Sequence, residues 1–298
     1  MSPSNPAAMW QLRGSRKRIG PWTGRGASLS HTHLRLGLRF LLPFLMLTGA
    51  SYASADEPVS LCRDVEGAEA LLSKPEKRYI IFGERHGTTE APSLFADLAC
   101  LASAKRPLIV GLEMEADQQP ALDAFLASDG SAAAKHAWRR AKHWQLRDGR
   151  GSNAMWMMIE RLRQLKAEGR DLTAIAFMHQ APTVESREQG MADAWHAALD
   201  ARKDARLLIL VGSVHAESEP IGQSVPAASF VPQRARLTLN YVPWEAVRCG
   251  PYPCRGGGAR TPRILANVPS EWRWPRYDAY YTVGRPFTPS APPPELPD

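Results

Sequence analysis

The first 55 residues contain no aspartate or glutamate, while seven basic side chains fall among them: Arg13, Arg16, Lys17, Arg18, Arg25, Arg35 and Arg39. A long hydrophobic run is missing too. The apolar stretch 40–48 is about half the ~20 residues that a membrane span requires, which argues against a spanning helix. What remains is a basic region, a short apolar core and an Ala53, Ser54, Ala55 cleavage pattern, so residues 1–55 are expected to be a secretory signal peptide, with Met9 as an alternative start. Cys62 has no small residue before it, so a lipoprotein anchor is not expected.

Net charge is missing from the remainder. Subtracting the seven leader cations from 37 Lys and Arg leaves 30, against 30 Asp and Glu, so the formal +7 belongs to the leader. No basic surplus is left to favour nucleic acid, and no membrane span is expected after cleavage. The leader implies a periplasmic or secreted protein, and the mature chain, Asp56–Asp298, is long enough for one sizeable core. Cysteines are few, four in all. Zinc binding by them would need a second close pair or histidines at ligand spacing, and neither is present. Disulfides are expected instead, Cys249 with Cys254 across the turn-forming spacer 250–253 and Cys62 with Cys100.

Short β-branched or aromatic runs at 79–82, 108–112, 172–177 and 207–211 alternate with helical patterns at 92–104, 120–127, 132–142, 153–168 and 188–199. That alternation predicts an α/β fold, a mostly parallel sheet covered by helices on both faces, as a single domain over 56–285. Later strands are expected at 237–242 and 277–283, and the proline-rich tail 286–298 is expected to be disordered.

Two of the strands run into the same pattern, Gly-x-x-His: Gly83 to His86 and Gly212 to His215. The C-terminal ends of parallel strands face one crevice where ligands bind, so His86 and His215 are expected to meet there. The second strand delivers Glu113 and Glu115 and the third His179. In an extended chain Glu113 and Glu115 share one side while Met114 points away. Close carboxylates split their pKa values or share a cation, and with the histidines they suit manganese, cobalt or zinc, giving a candidate metal set of His86, Glu113, Glu115 and His215. Thr88 or Thr89 is placed to cap the next helix, whose positive end would keep His86 neutral, the form a general base or metal ligand takes. Ser186 and Gln189 have capping-box spacing, which puts Arg187 in a first helical turn, where it is either solvated or held by a carboxylate or an anionic substrate group. Arg147, Asp148, Gly149 and Arg150 are candidates for the mouth of the site.

These paired motifs, with Glu113 and Arg187 between them, resemble the superfamily that groups Tiki proteases, TraB and GumN proteins, erythromycin esterases and the ChaN haem-binding lipoproteins. The run GERHGTTEAP, residues 83–92, is similar to the Gly-Glu-x-x-His-Gly opening of the esterases and of the ChaN branch, and the ChaN-like uptake branch is the nearest. The resemblance spans residues 79–216. It implies catalytic roles for His86, Glu84, Glu113, Arg187 and His215. Tiki-type members imply a metal-dependent protease, esterase members imply water activated by the first histidine, and the ChaN branch implies haem as cofactor. The expectation is an exported hydrolase that activates water, through a metal or through His and Glu, against an ester or amide of a small-molecule or peptide substrate. A periplasmic haem- or metal-binding protein is the alternative.

Overall fold

A strand whose side chains are apolar on both faces has to be covered on both faces. Strand β1, Tyr79–Glu84, is of this kind and is buried along its whole length. In the computed structural model, which describes residues 62–220, 222–241, 263–265, 276–282 and 288–296, it lies in the middle of a seven-stranded sheet. Its neighbours are β4, Arg206–Gly212, on one side and β5, Arg236–Tyr241, on the other, both parallel to it. Beyond β4 lie β2, Leu108–Glu115, and β3, Leu172–Met178, also parallel. Beyond β5 lie β7, Ala279–Thr282, which is parallel, and β6, Arg263–Leu265, which is the antiparallel edge.

Alternate side chains of β1 serve two cores. Ile80 and Phe82 pack with Leu94, Phe95 and Leu98 of α2, Glu90–Ser103, and with Ile159 and Leu162 of α5, Asn153–Ala167. Tyr79 and Ile81 pack on the opposite face with Met191, Trp195 and Leu199 of α6, Val184–Ala201. Each fully buried side chain of this size contributes roughly 1.5–3 kcal/mol relative to exposure. Helix α1, Ala68–Leu72, with α3, Gln119–Leu126, and α4, Ala132–Arg139, joins the α2 side. The fold is therefore the expected α/β architecture, a mostly parallel sheet with helices on both faces. Among the described residues no helix is long and apolar enough to cross a membrane.

One departure from regular pairing prepares the site. The pairing of β1 with β4 continues to Glu84 opposite Gly212, whereas that of β2 with β4 stops at Leu112 opposite Leu210. Beyond Leu112 the register of β2 against β3 also shifts. The last residues of β2 thus leave β4, and the backbone of Gly212 is left to find a side-chain acceptor.

Several element bounds differ from expectation for local reasons. Strand β2 runs on through Glu115 instead of ending at 112. Helix α6 starts at Val184 because Thr183, not Ser186, is the cap: its side chain accepts from the Ser186 N–H and Ser186 bonds back to the Thr183 N–H. The tail is corrected most. Residues 288–296, expected to be disordered, are placed against the domain by backbone hydrogen bonds such as Ser290 N–H to the Gly87 carbonyl at 2.7 Å and Asn153 N–H to the Ala291 carbonyl at 2.8 Å. Proline content removes donors but leaves carbonyls, and here the carbonyls are used. The Cys249 and Cys254 pair and the leader lie outside the described residues.

Cys62 and Cys100 form a disulfide, as expected, tying the segment before α1 to α2 across 38 residues of sequence. Replacing both cysteines by serine is expected to lower stability by about 2–4 kcal/mol in a urea titration, because the unfolded chain regains its loop freedom. An unchanged urea midpoint under oxidising conditions would contradict that role.

Candidate functional site

Glu113 stands where β2 parts from β4. Its neighbours Leu112 and Met114 stay in the core on the α2 side. Its Oε2 accepts the Gly212 N–H at 2.6 Å, which supplies the hydrogen bond that strand pairing has withdrawn. A Cβ on Gly212 would lie 3.1 Å from His86 Nε2, a contact tight enough that the ring would have to give by a few tenths of an ångström, and at ordinary contact distance, 3.4 Å, from Glu113 Oε2 and His215 Cδ2. Three side chains of the site thus converge on the Gly212 backbone.

Both motif histidines reach the same carboxylate. His86 Nε2 lies 3.6 Å from Glu113 Oε2, and His215 Nε2 lies 3.9 Å from Glu113 Oε1. Each ring is oriented from behind by a carboxylate of its own: His86 Nδ1 is 2.9 Å from Glu84 Oε1, and His215 Nδ1 is 2.8 Å from the Glu188 carboxylate. Glu84 closes β1, and His215 lies in the 3-10 turn Ser213–Ala216 that follows β4. Arg150 adds a cation, its Nη1 3.5 Å from Glu113 Oε1 while Nε and Nη2 grip Asp148.

Electrostatics separates these groups. Burial disfavours a charged imidazole at His86, but the carboxylates of Glu113 and Glu84 outweigh it and push the pKa up to about 10. Burial likewise opposes charge on Glu113, yet hydrogen bonding and charge from His86 and the Gly212 N–H hold its pKa below the usual value. The sequence-based expectation of a neutral His86 is thereby reversed. Thr89, the cap residue of α2, makes no side-chain capping bond, and a partial helix charge is weaker than two carboxylates at these distances.

The structure brings together His86, Glu84, Glu113 and His215 of the expected set. Arg187 stands one step removed, its Nη2 3.4 Å from Glu188 Oε1. Glu115 does not join them. It lines a separate cavity of about 560 Å³ with Asp117, Gln118, Lys142, His143 and His179, because the register shift in β2 parts it from Glu113. The expected metal set fails as a set. Among the described residues no three His, Cys, Asp or Glu side chains are arranged to hold a metal ion. The two Nε2 atoms face different oxygens of Glu113, and one of those oxygens is already bonded to Gly212.

Glu188 is the functional residue that the sequence reading missed. It is 2 % exposed, and it also accepts the Ala227 N–H at 3.0 Å. A signal was available: Glu188 shares the buried stripe of α6 with Met191, Ala192, Trp195 and Leu199, so a carboxylate sits at a core position where only a buried partner makes it tolerable.

The stability that His86 draws from its carboxylates follows from the sign of its shift. Its folded pKa is raised, so the contribution is complete below about 6.5 and is lost as pH rises through about 10. The difference in denaturation midpoint between the protein and its His86→Gln variant is expected to shrink steadily over that interval. A difference independent of pH between 6 and 10 would show that His86 is not held charged.

No family model matches the chain, and no curated protein matches it. Among solved structures, a mutant erythromycin esterase in its open conformation matches with a TM-score of 0.54 at 10 % identity, over 77 % of this chain and 95 % of that one. The type III effector HopBA1 matches at 0.45 with 15 % identity, over 77 % of this chain and 100 % of that one. ChaN of Campylobacter jejuni, in a structure with cofacial haem, matches at 0.40 with 12 % identity, over 72 % of this chain and 90 % of that one. The structural neighbours thus include an erythromycin esterase and a ChaN haem-binding protein, both of which the sequence resemblance names, and the chain shares the α/β fold of the esterase.

Proposed function

We propose that this chain is a hydrolase that activates water with histidine and glutamate side chains and attacks an ester or amide carbonyl. The observation that carries the reading is the meeting of two histidines, each anchored from behind by its own carboxylate, on one buried carboxylate at the C-terminal ends of parallel strands. Glu188 accepts the Nδ1 proton of His215, which leaves the Nε2 lone pair toward the crevice, the arrangement of a carboxylate-oriented general base. His215 takes a proton from water as the water oxygen bonds to the carbonyl carbon. His86, charged and fixed by Glu84, offers an Nε2 proton to the developing oxyanion and then to the leaving group as the carbon–heteroatom bond breaks. Glu113 holds the two rings in register. Arg150 offsets its charge, and Arg187 acts on Glu188 and so on the orientation of His215.

In this scheme His86 is the acid and His215 the base, the reverse of the assignment that the resemblance implies. An ester is the preferred substrate class because the fold is shared with an esterase; a peptide amide is the second. Export belongs to the same proposal. It draws on the leader pattern and on the Cys62–Cys100 disulfide, which an oxidising compartment would preserve. The haem-binding alternative is less well supported, since all four ring nitrogens of His86 and His215 face carboxylates.

The mature chain should hydrolyse at least one member of a panel of activated carboxylic esters, and Glu113→Gln or His215→Asn should each lower kcat by about 10²–10⁴ while the fold is kept. Hydrolysis that survives both substitutions at full rate would refute the assignment.

A further inference from the structure

The turn that carries His86 is clamped from two sides. On one side Gly149, with φ +96°, lies so close that a Cβ on it would fall 2.4 Å from the Gly87 nitrogen and 2.6 Å from the His86 carbonyl carbon. That loop is itself anchored through Arg150 to Asp148 and Glu113. On the other side runs the C-terminal strap of residues 288–291. The Ser290 N–H donates to the Gly87 carbonyl at 2.7 Å, the Thr89 N–H donates to the Thr288 carbonyl at 2.9 Å, and Thr88 and Pro289 form an antiparallel bridge between them. The Thr288 N–H in turn donates to the Glu90 carboxylate at 3.0 Å.

The same strap serves a second helix. Helix α5 leaves its first N–H groups without intrahelical partners, and the Asn153 N–H finds the Ala291 carbonyl at 2.8 Å while the Ala154 N–H finds Ser290 Oγ at 2.9 Å. The strap therefore joins the start of α5 to the turn behind His86. Gly87, with φ +79°, is the residue in that turn least constrained by its own side chain, so its conformation depends on outside contacts.

We propose that Ser290 is a positioning residue for His86: its backbone N–H latches the Gly87 carbonyl and so sets where the imidazole stands relative to Glu113. This rests on the reading of His86 as the acid of the site, but the latch itself is testable without a substrate. The contact needed is a backbone donor, so the informative pair of variants is Ser290→Pro, which removes both the N–H and the hydroxyl, and Ser290→Ala, which removes only the hydroxyl that α5 uses.

The experiment follows the His86 ring by NMR across pH in the full chain, with the melting temperature alongside. Ser290→Ala is expected to lower the melting temperature slightly and to leave the His86 titration near 10. Ser290→Pro is expected to move that titration down toward 6.5 and, once a substrate is in hand, to cut kcat about tenfold or more with KM little changed, as a displaced acid would. A wild-type His86 titration in folded Ser290→Pro overturns the proposal, and so do identical titrations in the two variants. Should Ser290→Pro not fold, an ester linkage in place of the 289–290 amide, introduced by semisynthesis, removes the same donor while keeping the hydroxyl, and an unshifted titration there overturns the proposal equally. Because the readout is the ring and not turnover, a failure of the hydrolase reading leaves this result intact.

Discussion

A carboxylate that is 7 % exposed is the constraint to which the site answers. Removing Glu113 from water costs several kcal/mol, and the protein offsets this with a backbone N–H, a guanidinium and two imidazoles arranged around its two oxygens. Each of those partners has its own structural cause. Gly212 is available because β2 departs from β4 one residue before Glu113. Arg150 is available because Asp148 holds two of its nitrogens. The histidines are available because their Nδ1 atoms are fixed by Glu84 and Glu188, which turns both Nε2 atoms toward the crevice.

Two histidines with the same motif spacing thus come to differ. His86 lies between two carboxylates that together hold it charged. His215 faces Glu188 at hydrogen-bond distance and Glu113 only at 3.9 Å. Under the proposed reading, this difference is what would let one site separate an acid from a base. Of the four residues of the metal reading, Glu115 lies in a separate cavity, and the two Nε2 atoms face separate oxygens of Glu113.

The strand-and-helix alternation and the two Gly-x-x-His turns were legible in the sequence, because buried parallel strands are continuous apolar runs and their ends are marked by glycine. His86, Glu113 and His215 could be named for the same reason: a strand end has a known direction in a parallel sheet. Glu115 could not be separated from Glu113 in this way, because alternation assumes a regular strand and the shift beyond Leu112 is a property of pairing with β3. The charge of His86 was misjudged because the helix end is local in sequence, while Glu113 arrives from another strand. Glu188 was within reach on the apolar stripe of α6. The strap 288–296 was not, since its order comes from hydrogen bonds to residues more than a hundred positions away.

Neutron diffraction from crystals of residues 56–298 at pH 7 would test the central claim most directly, by locating the protons on His86. The account predicts density on both Nδ1 and Nε2, facing Glu84 and Glu113, with no proton on either carboxylate. A bare nitrogen on His86 would contradict it, and with it the division of labour between the two histidines.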